Sequence, residues 1–230
     1  MPFALLLIFA LLPSLLWLLF FLKRDPNPEP RLMIVKVFLF GMLMVVPAVL
    51  AQIIFKSIWP GLIVSLLLAS FIEELMKYLA ARWGALKSNA FDEPVDAMIY
   101  MITAGLGFAA IENLIVLINP TLINLSLVIG ASTMRFLTAT FIHALASGLL
   151  GYFIALQRIH RKKIFFFVGL ILVTLIHSLY NLGITGLSEQ VDNYAYLAYT
   201  LLLIIPLGVA ILDVIAFNHL KKISLSKNDF

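Results

Sequence analysis

Seven long apolar segments divide the chain, and this constrains its fold more than any other feature. They run from Phe3 to Leu22, Met33 to Phe55, Trp59 to Leu79, Ala97 to Ile118, Ser132 to Leu156, Ile164 to Gly183 and Ala195 to Phe217. A helical bilayer crossing needs about 20 mostly apolar residues. Hydrophobic residues make up 63% of the chain and charged residues 12%, against roughly 45–50% and about 25% in soluble domains. A soluble core of this size cannot hide that much apolar surface. The expected fold is therefore all-α, a polytopic membrane bundle of about seven helices. The short apolar stretch Leu122 to Ile129 is expected to be re-entrant or merged with the fifth span.

Charge in the loops fixes the expected orientation. Lys23, Arg24 and Arg31, then Arg82 and Lys87, then Arg158, Arg161, Lys162 and Lys163, then Lys221, Lys222 and Lys227 all fall on one side of a seven-span chain, with Lys56 on the other. The positive-inside rule places the N-terminus outside and the C-terminus in the cytoplasm of a bacterial cell membrane. The first segment has basic residues after it and no small-x-small cleavage site, so it is expected to be a retained anchor. The basic run Arg158–Lys163 serves topology and anionic lipid. The net charge of +4 does not call for nucleic acid, and the lack of cysteine excludes disulfides, thiolate catalysis and Cys-ligated metals. Three regions are expected: 1–56, a two-span anchor; 57–185, a core of four transmembrane helices; and 186–230, a last helix with a short tail.

Several polar side chains sit where lipid should be. Glu73, Glu74, Lys77, Glu112 and Arg135 lie within apolar segments, as do His143 and His177. A charge at the centre of a span costs roughly 2.5–3.5 kcal/mol, so five need pairing or a function. Glu73 and Glu74 precede Lys77 at i,i+4 and i,i+3, and both pairs can meet on a helix. One ion pair leaves the second glutamate beside a like charge, which suits a general base. Gly105 and Gly107 permit close helix approach near Glu112 and Asn113. Thr140, His143 and Ser147 share a helix face, and so do His177 and Asn181. Measured from the basic flanks at 1.5 Å per residue, Glu112, His143 and His177 lie about 20–22 Å deep and Glu74 about 12 Å deep.

The ordered pieces Glu73-Glu74-x-x-Lys77, Asp96 with Gly105-x-Gly107-Phe108-x-x-x-Glu112-Asn113, Arg135 with His143 and then Gly151-Tyr152, and His177-x-x-x-Asn181 resemble the PrsW family of intramembrane proteases. That family is related to the CAAX prenyl proteases and to bacteriocin-immunity-like membrane proteases. The match covers four helices from about Phe71 to Asn181. Ala97 follows Asp96 where many relatives carry Gly. The resemblance implies a four-helix catalytic core that hydrolyses a membrane-embedded protein, such as an anti-sigma factor. It implies Glu73, Glu74 and His143 as catalytic, with Glu112, His177 and Asn181 completing the site; Lys77, Asn113 and Arg135 support it.

The mechanism expected is metal-free. One glutamate of the pair, with Glu74 slightly preferred, takes a proton from water while Lys77 holds the other ionised. His143 with Asn181 or His177 donates to the oxyanion. Thr140 and Ser147 are expected to line a cytoplasm-facing cavity. No cofactor is required; the lower-ranked alternative is zinc held by Glu112, His143 and His177. A proton- or ion-coupled transporter is the rival from another class.

Overall fold

The computed structural model describes residues 3–119, 124–188 and 195–226. Its helices are α1 (Phe3–Leu22), α2 (Arg31–Leu43), α3 (Val45–Ile58), α4 (Leu62–Ala81), α5 (Asp96–Leu117), α6 (Leu125–Leu137), α7 (Ala139–His160), α8 (Ile164–Ser188) and α9 (Ala195–Ser226). Among the described residues all regular structure is helical. Six helical stretches are long and apolar enough to cross a membrane: α1, α2 with α3, α5, α6 with α7, α8 and α9. The expected seventh is α4. It has 20 residues, the length of a crossing, but Glu73, Glu74 and Lys77 interrupt its apolar character. The protein is an integral membrane protein.

Two expected spans are each built from two helices. At Met44 (φ −70°, ψ −10°) α2 passes into α3 almost without a break. At Thr138 (φ −124°, ψ −87°) the backbone leaves the helical region, and α6 and α7 part. The stretch at Leu122 to Ile129 thus merges into the fifth span, as far as it lies among the described residues. A straight helix over Leu125–His160, a stretch of 36 residues, would be about 54 Å long, well beyond a hydrocarbon core of about 30 Å. The break at Thr138 resolves that excess by turning α6 onto α1. There Ser132 Oγ donates to Phe9 O at 2.8 Å and Trp17 Nε1 donates to Phe136 O at 2.8 Å. Trp17 also stacks on Phe141 of α7 at 4.3 Å between centroids.

The core is centred on α5, which packs against α1, α2, α4 and α7. Residues 96–110 of this helix are buried without interruption. Two glycines on opposite faces make that possible. A Cβ on Gly105 would run into Ser147 and the His143 carbonyl of α7, and one on Gly107 into the Phe38 backbone of α2. Small residues at such crossings let helices meet at backbone distance. On α7, Gly151 lies against the Ala97 carbonyl and Met98 of α5 in the same way. Leu19, Leu32, Leu203, Ile204 and Ile211 point outward and are largely exposed, as a lipid-facing rim requires.

The basic loops gather at one end of the bundle. The side chain of Asn27 donates to Glu93, Arg158 lies over the Phe91 ring at 4.2 Å, and Arg24 and Lys221 line one cavity. Lys56 lies at the far end of α3.

Candidate active site

Four helices bring the intramembrane ionisable groups together. Glu73 and Glu74 come from the middle of α4, Glu112 from α5, His143 from α7 and His177 from α8. The Glu pair is not offset from the histidines in the way the sequence depths suggest: Glu74 Oε1 lies 2.8 Å from His177 Nδ1. The two imidazoles face each other edge to face, with centroids 5.0 Å apart. Glu73, Glu74, Lys77, His143 and His177 are all buried.

The two adjacent glutamates have different partners. Glu74 Oε1 takes Lys77 Nζ at 2.7 Å and His177 Nδ1 at 2.8 Å. Lys77 is fully buried, and its ammonium also lies 5.3 Å from the centroid of the Phe108 ring, a favourable place for a desolvated cation. The expectation that Lys77 secures Glu73 while Glu74 stays available is corrected here: the i,i+3 pair forms, and Glu74 is the committed carboxylate. Glu73 Oε1 accepts from Gln52 Nε2 of α3 at 2.9 Å. Its Oε2 lies 3.5 Å from His177 Nε2 and has no hydrogen-bond partner.

Glu112 anchors the other imidazole. His143 Nε2 meets Glu112 Oε2 at 2.7 Å, and Arg135 Nη2 meets the same oxygen at 3.5 Å. His143 Nδ1 is buried and unpartnered. Arg135 Nε donates to Asn113 Oδ1, and Asn113 Nδ2 donates to Thr140 Oγ1 at 3.1 Å and to the Ala10 carbonyl at 3.2 Å. Arg135 and Asn113 thus hold Glu112 and tie it to α1 and α6. One turn along α8 from His177, Asn181 Nδ2 donates to Ser70 Oγ at 3.3 Å.

Three groups could hold a metal ion. One ligand atom each from Glu73, His143 and His177 lie within 4.8 Å of one another. The expected zinc set named Glu112; the structure substitutes Glu73, because Glu112 is engaged behind His143 by Arg135.

A cavity of about 500 Å3 adjoins the site, lined by Gln52, Lys56, Pro60, Ser65, Ala69 and Ile72 among others. It extends toward the α3–α4 turn, where Lys56, Pro60 and Leu62 line it. Thr140 and Ser147 do not line it: both are fully buried, Thr140 against Asn113 and Ser147 beside Gly105. Two contributors escaped the sequence reading, Gln52 and Ser70, while Phe108 entered it only as part of the family motif, without a role. A glutamine in the otherwise apolar run 45–55 is the signal that could have found the first.

Residues 29–211 match the model of the PrsW family, described as intramembrane metalloproteases. A Protease PrsW of Shouchella clausii is 28% identical over 94% of this chain and 95% of its own. One of Halalkalibacterium halodurans is 30% identical over 75% of this chain and 80% of its own, and one of Geobacillus kaustophilus 26% over 70% and 71%. No solved structure matches the chain. With a family model spanning most of its length and a converged Glu–His cluster in the membrane, the chain belongs to the PrsW family of intramembrane proteases.

Proposed function

We propose that this protease is an endopeptidase that cuts a membrane-embedded protein with a water molecule activated by Glu73. The carrying observation is that Glu73 Oε2 and His177 Nε2 stand 3.5 Å apart while that oxygen has no hydrogen-bond partner. In the tautomer whose Nδ1–H donates to Glu74, His177 Nε2 presents a lone pair, as Glu73 does. Two buried acceptors face to face need a donor between them, and a water supplies two.

The residues then act as follows. Glu73 takes a proton from the water, whose oxygen bonds to the substrate carbonyl carbon. The carbonyl oxygen becomes an oxyanion, and Asn181, whose amide is steadied by Ser70, donates to it. When the C–N bond breaks, Glu73 returns the proton to the leaving nitrogen. Lys77 keeps Glu74 ionised, and Glu74 orients His177. Glu112, with Arg135 and Asn113, orients His143. The substrate class, an anti-sigma factor or another membrane-embedded protein, follows from the family resemblance. Its helix must unwind, since a helical backbone shields its own carbonyls.

A second reading is favoured by the donor set itself. One carboxylate and two imidazoles, each imidazole backed by a second carboxylate, suit a zinc-class ion, and the unpartnered Glu73 Oε2 and His143 Nδ1 fit it. Glu73, His143 and His177 would hold that ion, which would supply Lewis acidity and a more acidic water.

Co-expression with an epitope-tagged host anti-sigma factor tests the reading. Cleavage is expected with the parent chain and lost with Glu73→Gln at unchanged protein level. Undiminished cleavage by Glu73→Gln would refute Glu73 as base and ligand alike. Purified protein that still cleaves after exhaustive chelation supports the metal-free version; loss restored by zinc supports the second reading. Proton-coupled uptake into liposomes without cleavage would favour a transporter.

A further inference from the structure

A second cluster of acidic groups lies at the basic-loop end, away from the reacting residues. The α1–α2 linker contributes Asp25 and Glu29, the segment before α5 contributes Asp92 and Glu93, and the first residue of α5 contributes Asp96. From Asp96 to Glu112 the helix rises about 24 Å, so this cluster is separate from the proteolytic site. One carboxylate oxygen each from Glu29, Asp92 and Asp96 lie within 4.8 Å of one another. None of the ion pairs among the described residues involves these carboxyls.

The arrangement is built rather than incidental. Asp96 Oδ2 accepts from the backbone N–H groups of Asp92, at 3.0 Å, and Glu93, at 2.6 Å. This fixes the carboxyl and leaves Oδ1, on a side chain that is 1% exposed, without a partner. The hydroxyl of Tyr100, itself fully buried, donates to Glu29. Asp25 Oδ1 accepts from the Asn27 N–H at 3.1 Å, and its Oδ2 is buried without a partner. Hydrogen bonds of this kind hold carboxylate oxygens in place but do not neutralise them. Burial moves Asp25 up to about 6 and pushes Glu29 upward as well, the response of carboxyls that lack a counter-charge.

We propose that Glu29, Asp92 and Asp96 bind one hard divalent cation, of the calcium or magnesium class, which fastens the α1–α2 linker to the start of α5. The donors are all oxygens, as such ions prefer, with no nitrogen or sulfur to favour a transition metal. An ion bound to oxygens at about 2.3–2.6 Å can span ligand atoms up to about 5 Å apart. The two ions differ in size and rigidity, so each is tested by itself.

The test is calorimetric titration of the full chain, purified in detergent and stripped with EDTA, with calcium chloride and separately with magnesium chloride. Saturable binding of one ion per chain is expected for at least one salt, weakened at least tenfold by Asp92→Asn and by Glu29→Gln. Asp92 is exposed, so its variant should fold normally even if Asp96→Asn does not. A chain that binds neither ion up to about 1 mM, the weak end of functional calcium sites, overturns the proposal and leaves a carboxyl pair sharing a proton. Binding undiminished in both variants also overturns it, because the ion then lies elsewhere.

Discussion

His177 Nδ1 and Glu74 Oε1 meet at 2.8 Å across two helices, and this contact separates the tasks of two neighbouring glutamates. Glu74 Oε1 holds an imidazole and an ammonium; Glu73 carries neither, and its Oε2 faces His177 Nε2 without a hydrogen bond. Glu73→Gln should therefore lower cleavage by about 10²–10⁴-fold, the usual worth of a general base, with little change in unfolding temperature. Glu74→Gln should also lower stability, by about 3–5 kcal/mol, because it strands buried Lys77. Thermal unfolding in detergent beside a cleavage assay separates the two. Equal stability of both variants would contradict this division.

Gln52 should matter although it lies outside the four converging helices. Its amide is the donor to Glu73 Oε1. Gln52→Leu removes that donor and should reduce cleavage by about 10–100-fold, as loss of an orienting partner does. Immunoblots should show normal accumulation, and Gln52→Asn should restore little, being one methylene too short.

Gly107 tests the packing of α5 on α2. A methyl group there meets the Phe38 backbone, which has no rotamer to yield. Gly107→Ala should destabilise the bundle by about 1–3 kcal/mol. Gly208, where an added Cβ meets nothing, should tolerate the same change with no shift in unfolding temperature.

Asp25 predicts a pH dependence of stability. Burial raises it from 3.8 to about 6 in the folded chain, so the folded state holds its proton longer than the unfolded state. That contribution is fully present below about pH 4 and is lost as pH rises through about 6. Without added divalent ions, the parent chain should lose stability across that window. Asp25→Asn should flatten the fall, and unfolding curves at pH 4, 5, 6 and 7 would show it. An identical slope in the variant would remove Asp25 from the account.

Chain order revealed the helical bundle and most of the converging ionisable groups, because lipid makes each misplaced charge conspicuous. Glu73, Glu112, His143 and His177 stand out for that reason, and i,i+4 spacing placed Asn181 beside His177. Partner choice within the Glu73–Glu74–Lys77 run was not legible: both spacings permit an ion pair, and only the position of α8 selects Glu74. The break at Thr138 was equally hidden, since no Pro or Gly marks it and its cause is the packing of α6 on α1. Gln52 was lost among apolar neighbours. The acidic cluster escaped because its members lie in two loops and at the first residue of α5, which meet only once α1 and α2 have packed on α5.

The cavity at the α3–α4 turn sets a ruler. Its lining includes Leu62 at the start of α4 and Ala69 and Ile72 further along, next to Glu73 in sequence. The helical path from Leu62 to Glu73 is about 16 Å, which an extended peptide covers in about five residues. A strand threading that groove would present the bond about five residues beyond its point of entry. The place of the cut would then be measured by depth, and side-chain identity would matter only where it decides how readily the substrate helix uncoils.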